Sequence, residues 1–173
     1  MTNTKKAVPV KKSGKGALIG VGAAIVLLTM FFIIKSLGGS SADTAALGGD
    51  SISGDITITK SDVTATAKFI PYKAGNIKME VIALKAPDGS VRTAFNTCQV
   101  CYDSGRGYYE QEGDELVCQN CGNRFKASQV ELIKGGCNPV PIDSGNKTDD
   151  GTTITISNAF MEENKGLFGN WKK

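Results

Sequence analysis

The chain has 173 residues, enough for one domain of ordinary size, with 21% charged and 40% hydrophobic side chains; this excludes a disordered polyampholyte and a multi-span membrane protein. It contains no histidine, which excludes Ser-His-Asp and Cys-His catalytic centres, His-based zinc hydrolases, Rieske centres and Cys-x-x-Cys-His haem attachment, so any metal is held by Cys, carboxylate or backbone oxygen. The net charge of +3 is segregated: residues 1–35 carry six Lys and no acid, which leaves 14 of the 20 basic residues against all 17 acidic ones. A basic face on a folded domain is the footprint of a nucleic-acid binder; here the basic excess lies in an N-terminal arm, and no nucleic-acid partner is expected.

The arm, residues 1–16, holds Lys5, Lys6, Lys11, Lys12 and Lys15. It precedes ALIGVGAAIVLLTMFFII, Ala17 to Ile34, eighteen residues without a charge. As a helix this stretch rises about 27 Å, close to the hydrocarbon thickness of a bilayer. A buried core helix would show a polar stripe, which this segment lacks. The spacing predicts a transmembrane anchor over 17–35, with Lys15 and Lys35 reaching the two interfaces. After Lys35 the next basic residue is Lys60, so the positive-inside rule places the arm in the cytoplasm and the rest outside. The apolar run exceeds the 7–15 residues usual in a signal peptide, and Ser40-Ser41-Ala42 is a poor cleavage site. The expectation is a retained anchor in the cell membrane.

Residues 36–53, SLGGSSADTAALGGDSIS, have the composition of a flexible tether. The folded domain is expected over 54–160, mainly β and antiparallel, because its periodicity is two. Ile56 and Ile58 alternate with Thr; Val63, Ala65, Ala67 and Phe69 form one face of a second strand, and Ile77, Met79, Val81 and Ala83 one of a third. Pro71 and Gly75 mark the connection between the second and third. Pro87-Asp88-Gly89 is a tight turn, so residues 76–96 read as a hairpin. Thr152 to Ser157 is a late strand, Asn158 caps a short helix through Glu163, and residues 161–173 form a C-terminal tail.

All five Cys lie within 98–137. Cys98-Gln99-Val100-Cys101 and Cys118-Gln119-Asn120-Cys121 are two Cys-x-x-Cys pairs separated by 16 residues, a spacing usual for a four-thiolate site. Gly122 is expected to let backbone N–H groups approach the sulfurs. The insert, with Gly105, Gly107 and Gly113 and the strand-like Gly107-Tyr108-Tyr109 and Glu115-Leu116-Val117, reads as a hairpin returning the second pair to the first. The result is a zinc-ribbon or rubredoxin-like subdomain at 98–121 whose metal ligands are Cys98, Cys101, Cys118 and Cys121. Spacing alone leaves zinc, a single iron, an iron–sulfur cluster and a pair of disulfides open. Cys137, in Gly135-Gly136-Cys137-Asn138-Pro139, has no place in a plain ribbon. It is either a buried small hydrophobe, or a supplementary ligand or a thiol resting on the cluster. Arg92, Arg106, Arg124 and Lys126 stand near the pairs in sequence and could offset the site's negative charge or belong to a solvated surface. Tyr108, Tyr109 and Phe125 could shield the metal from water or serve as ordinary core.

The run Asp88-Gly89, Ala94-Phe95-Asn96-x-Cys98-x-x-Cys101, Gly107-Tyr108, Cys118-x-x-Cys121-Gly122-x-x-Phe125 and Gly135-Gly136-Cys137-Asn138-Pro139 resembles the membrane iron–sulfur-containing FtrD-like family over roughly residues 55–160. The two Cys pairs together with Gly-Gly-Cys-Asn-Pro carry the resemblance. It implies an iron–sulfur centre on Cys98, Cys101, Cys118 and Cys121, with Cys137 as the family's extra Cys. It also implies association with a membrane iron-permease system. Many relatives place a large multi-span region before this domain. With one expected span, this chain would serve a separate membrane permease or oxidoreductase.

Three functions fit these residues. The favoured one is a membrane-anchored extracytoplasmic electron carrier with an iron–sulfur or mononuclear iron centre. The second is a structural-zinc ribbon that binds a partner. The third is a thiol–disulfide oxidoreductase, whose Cys-x-x-Cys would be expected to open a helix on a βαβ scaffold, whereas the flanks here read as strands. A carrier or binding module is expected rather than a catalyst, and no small organic substrate is indicated.

Overall fold

The computed structural model describes residues 51–173. The basic arm, the apolar span 17–35 and residues 36–50 of the linker lie outside the described residues. Among the described residues no helix is long and apolar enough to cross a membrane.

Antiparallel β structure dominates. The strands are β1 (Ile56–Thr59), β2 (Lys68–Ala74), β3 (Ile77–Lys85), β4 (Val91–Cys98), β5 (Tyr109–Glu112), β6 (Glu115–Cys118), β7 (Arg124–Lys126), β8 (Pro139–Pro141), β9 (Thr148–Asp149) and β10 (Thr153–Ile156). One helix, α1 (Asn158–Asn164), follows. The strands pair in three sheets, ordered β2-β3-β4-β8, β1-β10-β9 and β5-β6-β7.

The four-stranded sheet is the middle layer, because β3 and β4 bury both faces. Met79, Val81, Ala83 and Phe95 point to a core shared with Ile56, Ile58, Ile154, Ile156 and Met161. Their alternates Ile82, Leu84, Ala94 and Cys98 point to a second core shared with Tyr109, Leu116, Cys118 and Phe125. The hydrophobic run at 81–84 is thus a doubly buried strand rather than an amphipathic one. The cysteine hairpin packs on one side of this sheet, and β1, β10 and α1 pack on the other.

The expected hairpin over 76–96 forms as β3 and β4, closed by the Gly89 N–H donating to the Ala86 carbonyl at 2.9 Å. The second strand departs from expectation. Lys60–Asp62 form a 3-10 turn, and β2 begins only at Lys68. The segment between is held by a side chain: Gln111 accepts from the Ala67 N–H at 2.6 Å and donates to the Ala65 carbonyl at 2.9 Å. Pro71 lies inside β2, not in the connection, opposite Glu80. It is tolerated because its polar backbone edge faces away from β3: the Pro71 carbonyl accepts from the Ile52 N–H. Ile52, read as the end of the tether, is therefore docked on β2.

Ser157, not Asn158, caps α1, its hydroxyl accepting from the Phe160 N–H at 3.3 Å. The residues from 161 onward, set apart above as a tail, contribute to the first core. Met161 and Phe168 are buried, Phe168 meets Phe95 edge-on, and the Trp171 indole N–H donates to the Asn96 carbonyl at 2.6 Å.

Candidate metal centre

Each Cys pair begins at the last residue of a strand, Cys98 on β4 and Cys118 on β6. An irregularity in the β4–β8 register between Phe95 and Cys98 turns β4 toward the site. It frees Asn96, fully buried, to fasten the hairpin: Asn96 accepts from the Tyr109 N–H at 2.7 Å and donates to the Tyr109 carbonyl at 3.2 Å. Tyr109 in turn lies opposite Cys118 in the β5–β6 ladder. The Cys98 N–H donates to the Gly107 carbonyl at 2.7 Å. These contacts bring the two pairs together across 16 intervening residues.

All five cysteines are free thiols, and they group in threes: Cys98, Cys101, Cys118 and Cys121 do not form one mutually close set. The groups are two overlapping trios, Cys98/Cys101/Cys137 and Cys101/Cys118/Cys121, each with its sulfurs within 4.8 Å of one another. Cys101 belongs to both. The Cys101 and Cys137 sulfurs are 3.8 Å apart, far beyond a disulfide bond. Two sulfurs on one tetrahedral metal, at a metal–sulfur length near 2.3 Å, stand about 3.8 Å apart. Cys137 thus sits at ligand distance from Cys101, alongside the four cysteines of the paired motifs. Cys98 and Cys118 are buried, Cys101 and Cys137 half-buried, and Cys121 exposed, so the group opens to the surface at one edge.

Burial and backbone amides oppose each other at the sulfurs. Burial pushes the Cys98 thiol up, but the Tyr109 hydroxyl and the Cys101 and Val100 amides outweigh it and leave the thiol below its usual value. At Cys118 burial wins over the Cys121 and Asn120 amides, and the thiol is pushed up to about 12. The Asn123 amide holds Cys121 below its usual value. Cys137 is raised, first by sharing a hydrogen bond with Cys121 and then by burial. Burial also raises Cys101. The two turns repeat one device, in which the amides of the second x and the second Cys lower the first thiol of each pair against its burial.

Gly122 and the Gly135-Gly136 pair are needed for a reason other than close approach. A Cβ at Gly122 or Gly135 would meet nothing within 4 Å, but their φ values are +72° and +84°, and Gly136 has +85°. These are left-handed conformations that disfavour other residues. The Gly122 N–H donates to the Cys118 carbonyl, while the next amide, at Asn123, serves the Cys121 sulfur. In the second loop the Gly135 N–H donates to the Gln99 side chain at 2.6 Å, and the Asn138 carbonyl accepts from the Gln99 N–H at 3.1 Å. Asn123 donates to the Cys137 carbonyl at 2.6 Å. Both turns thus hold the loop that carries Cys137.

Of the neighbouring cations, Arg92 pairs with Asp88, and Arg124 with Glu112 and Glu115. They are engaged away from the thiols. The aromatics divide: Tyr109 and Phe125 are buried in the cysteine-side core, whereas Tyr108 packs against Trp171. Three residues that the spacing does not single out also build the site. Asn96 clamps the hairpin, and Gly107 lies against the Cys101 backbone. Glu131 fastens the Cys137 loop to β4 by accepting from the Thr93 N–H at 3.1 Å.

A family model described as membrane iron-sulfur containing protein FtrD-like matches residues 54–168. The match spans both cores and all five cysteines. No curated protein and no solved structure matches the chain.

Proposed function

Because the chain belongs to the membrane iron-sulfur containing FtrD-like family, we propose that it carries electrons through an iron centre held by its cysteines. The carrying observation is the two trios of thiols that join all five cysteines through Cys101, one thiol more than a closed structural zinc site uses. Cys98, Cys101, Cys118 and Cys121 are the ligands in this reading, and Cys137 is a supplementary ligand or a thiol resting on the centre. An iron centre supplies a reversible one-electron couple when bound. The protein's share is to hold, tune and expose it. Cys98 and Cys118 grip from the buried side. The Val100, Cys101, Asn120, Cys121 and Asn123 amides offset negative charge at the sulfurs. Tyr109 and Phe125 keep water from the inner face.

The exposed Cys121 edge is where an electron would cross to a partner. Val100, Leu132 and Ile133 are large apolar residues left exposed on the loops that carry Cys101 and Cys137. Such a rim suits the brief encounters of redox proteins, which bury under about 1,200 Å². The partner in this reading is a membrane permease for iron or another membrane oxidoreductase. The arm and the uncharged run 17–34 support a single-pass anchor with the domain outside the cytoplasm. Protease added to intact cells then removes the domain and spares the arm; protection of the domain overturns that topology.

The full chain, purified without oxygen and supplied with iron, is expected to bind iron and show a visible spectrum. That spectrum should bleach on reduction and return on oxidation. A colourless chain that takes zinc in preference to iron under these conditions overturns the carrier in favour of a zinc ribbon.

A further inference from the structure

The geometry points to Tyr109 as a positioning and tuning residue of the cysteine centre, its hydroxyl donating a hydrogen bond to the Cys98 sulfur once that sulfur is metal-bound. Tyr109 is fully buried, and its hydroxyl makes no well-formed hydrogen bond, although it lies close enough to Cys98 to lower that thiol. Among the described residues only one other buried side-chain polar atom, Arg92 Nε, shares that state. A buried phenol without a partner is costly, and native proteins retain few of them. Tyr109 packs in one core with Cys98 and Cys118, and Cys98 is the thiol its hydroxyl acts on. A neutral thiol is a poor acceptor, whereas a metal-bound thiolate is a good one. A metal-bound Cys98 thiolate would therefore satisfy the Tyr109 hydroxyl.

The placement of the ring is fixed from both sides. Asn96 clasps the Tyr109 backbone at both its N–H and its carbonyl, and Asn96 lies two residues before Cys98. The β5–β6 register puts Tyr109 opposite Cys118. Tyr109 thus shares a buried core with the first cysteines of both pairs. A hydrogen bond to a cluster or iron thiolate favours the reduced, more negative state. It also lowers the energy of the sulfur lone pair.

This inference rests on the metal-centre reading above, and the test separates the two. Tyr109→Phe keeps the ring and removes only the hydroxyl. In the iron-loaded full chain the variant should retain its metal content, while its reduction potential moves to more negative values. In the cobalt(II)-loaded chain its sulfur-to-metal absorption should move to longer wavelength. A second reading survives a variant that fails to fold. In a chain carrying Tyr102→Phe and Tyr108→Phe, loading with colourless zinc should red-shift the tyrosine absorption, since Tyr72 already donates to Asn158. If wild-type chain binds no metal, both readings fall. If it binds metal but potential, cobalt bands and tyrosine absorption are unmoved, the Tyr109 assignment is wrong and the metal centre stands.

Discussion

Gly107 shows how closely the site is built at the scale of single residues. A Cβ there would overlap the Cys101 carbonyl group, with backbone rather than a flexible side chain in the way. Gly107→Ala should therefore push the first cysteine turn off its seat. The expected result is a loss of about 1–3 kcal/mol in stability, with metal content reduced. Gly166→Ala, where nothing lies within 4 Å, serves as the control and should change neither. Denaturant unfolding and metal analysis of both variants check this; equal behaviour would show that the close approach is not required. The cysteine spacing does not explain Gly107, which the sequence marks only as part of the family-like run, because the overlap is with a turn whose position depends on the folded hairpin. Gly122, Gly135 and Gly136 do stand out by their place beside cysteines, but their need is a positive φ, which only the backbone reveals. Tyr109 reads equally as core or shield until its hydroxyl is seen to lack a well-formed hydrogen bond.

The loop that presents Cys137 is anchored by an ion pair that no local pattern announces. Glu131, at φ +71°, accepts from Lys147 Nζ at 2.6 Å, and Lys147 also donates to Thr93 Oγ1 at 2.9 Å. The two side chains are only 12% and 6% exposed. Removing one partner of such a pair leaves the other charge buried, at a cost of about 3–5 kcal/mol for full burial. Lys147→Met should destabilise the protein by about 3 kcal/mol and make Cys137 react faster with a thiol reagent. An unchanged denaturation midpoint and thiol reactivity would show that the loop is held otherwise. The elements themselves are legible unevenly. The β3–β4 hairpin could be read because alternation and a Pro-Asp-Gly turn agree. Residues 63–67 alternate just as well, yet Gln111, more than 40 residues away, takes their backbone groups. Likewise Pro71 reads as a breaker until Ile52 is seen to occupy its outward edge.

Two cores on opposite faces of one sheet give the molecule unequal halves. The first, around Phe95 and Ile154, contains no cysteine; the second includes Cys98 and Cys118 and packs against Cys101 and Cys137. Metal-binding free energy there is folding free energy. Stripping metal with a chelator should therefore speed amide exchange over 98–137 while β1 and β10 stay protected. Uniform loss of protection would mean that both cores fold as one unit. The pair spacing singled out four of the five cysteines as candidates. Cys137 is different: its approach to Cys101 comes from Gln99 and Asn123 gripping a loop far along the chain. Cys137 is also where a redox centre and a zinc staple part, so the most direct measurement is the reduction potential of the iron-loaded full chain beside that of Cys137→Ser. The account predicts a reversible couple whose potential or visible spectrum shifts in the variant while Cys98, Cys101, Cys118 and Cys121 still hold metal. A zinc-loaded, colourless chain without a couple, indifferent to the substitution, would contradict it.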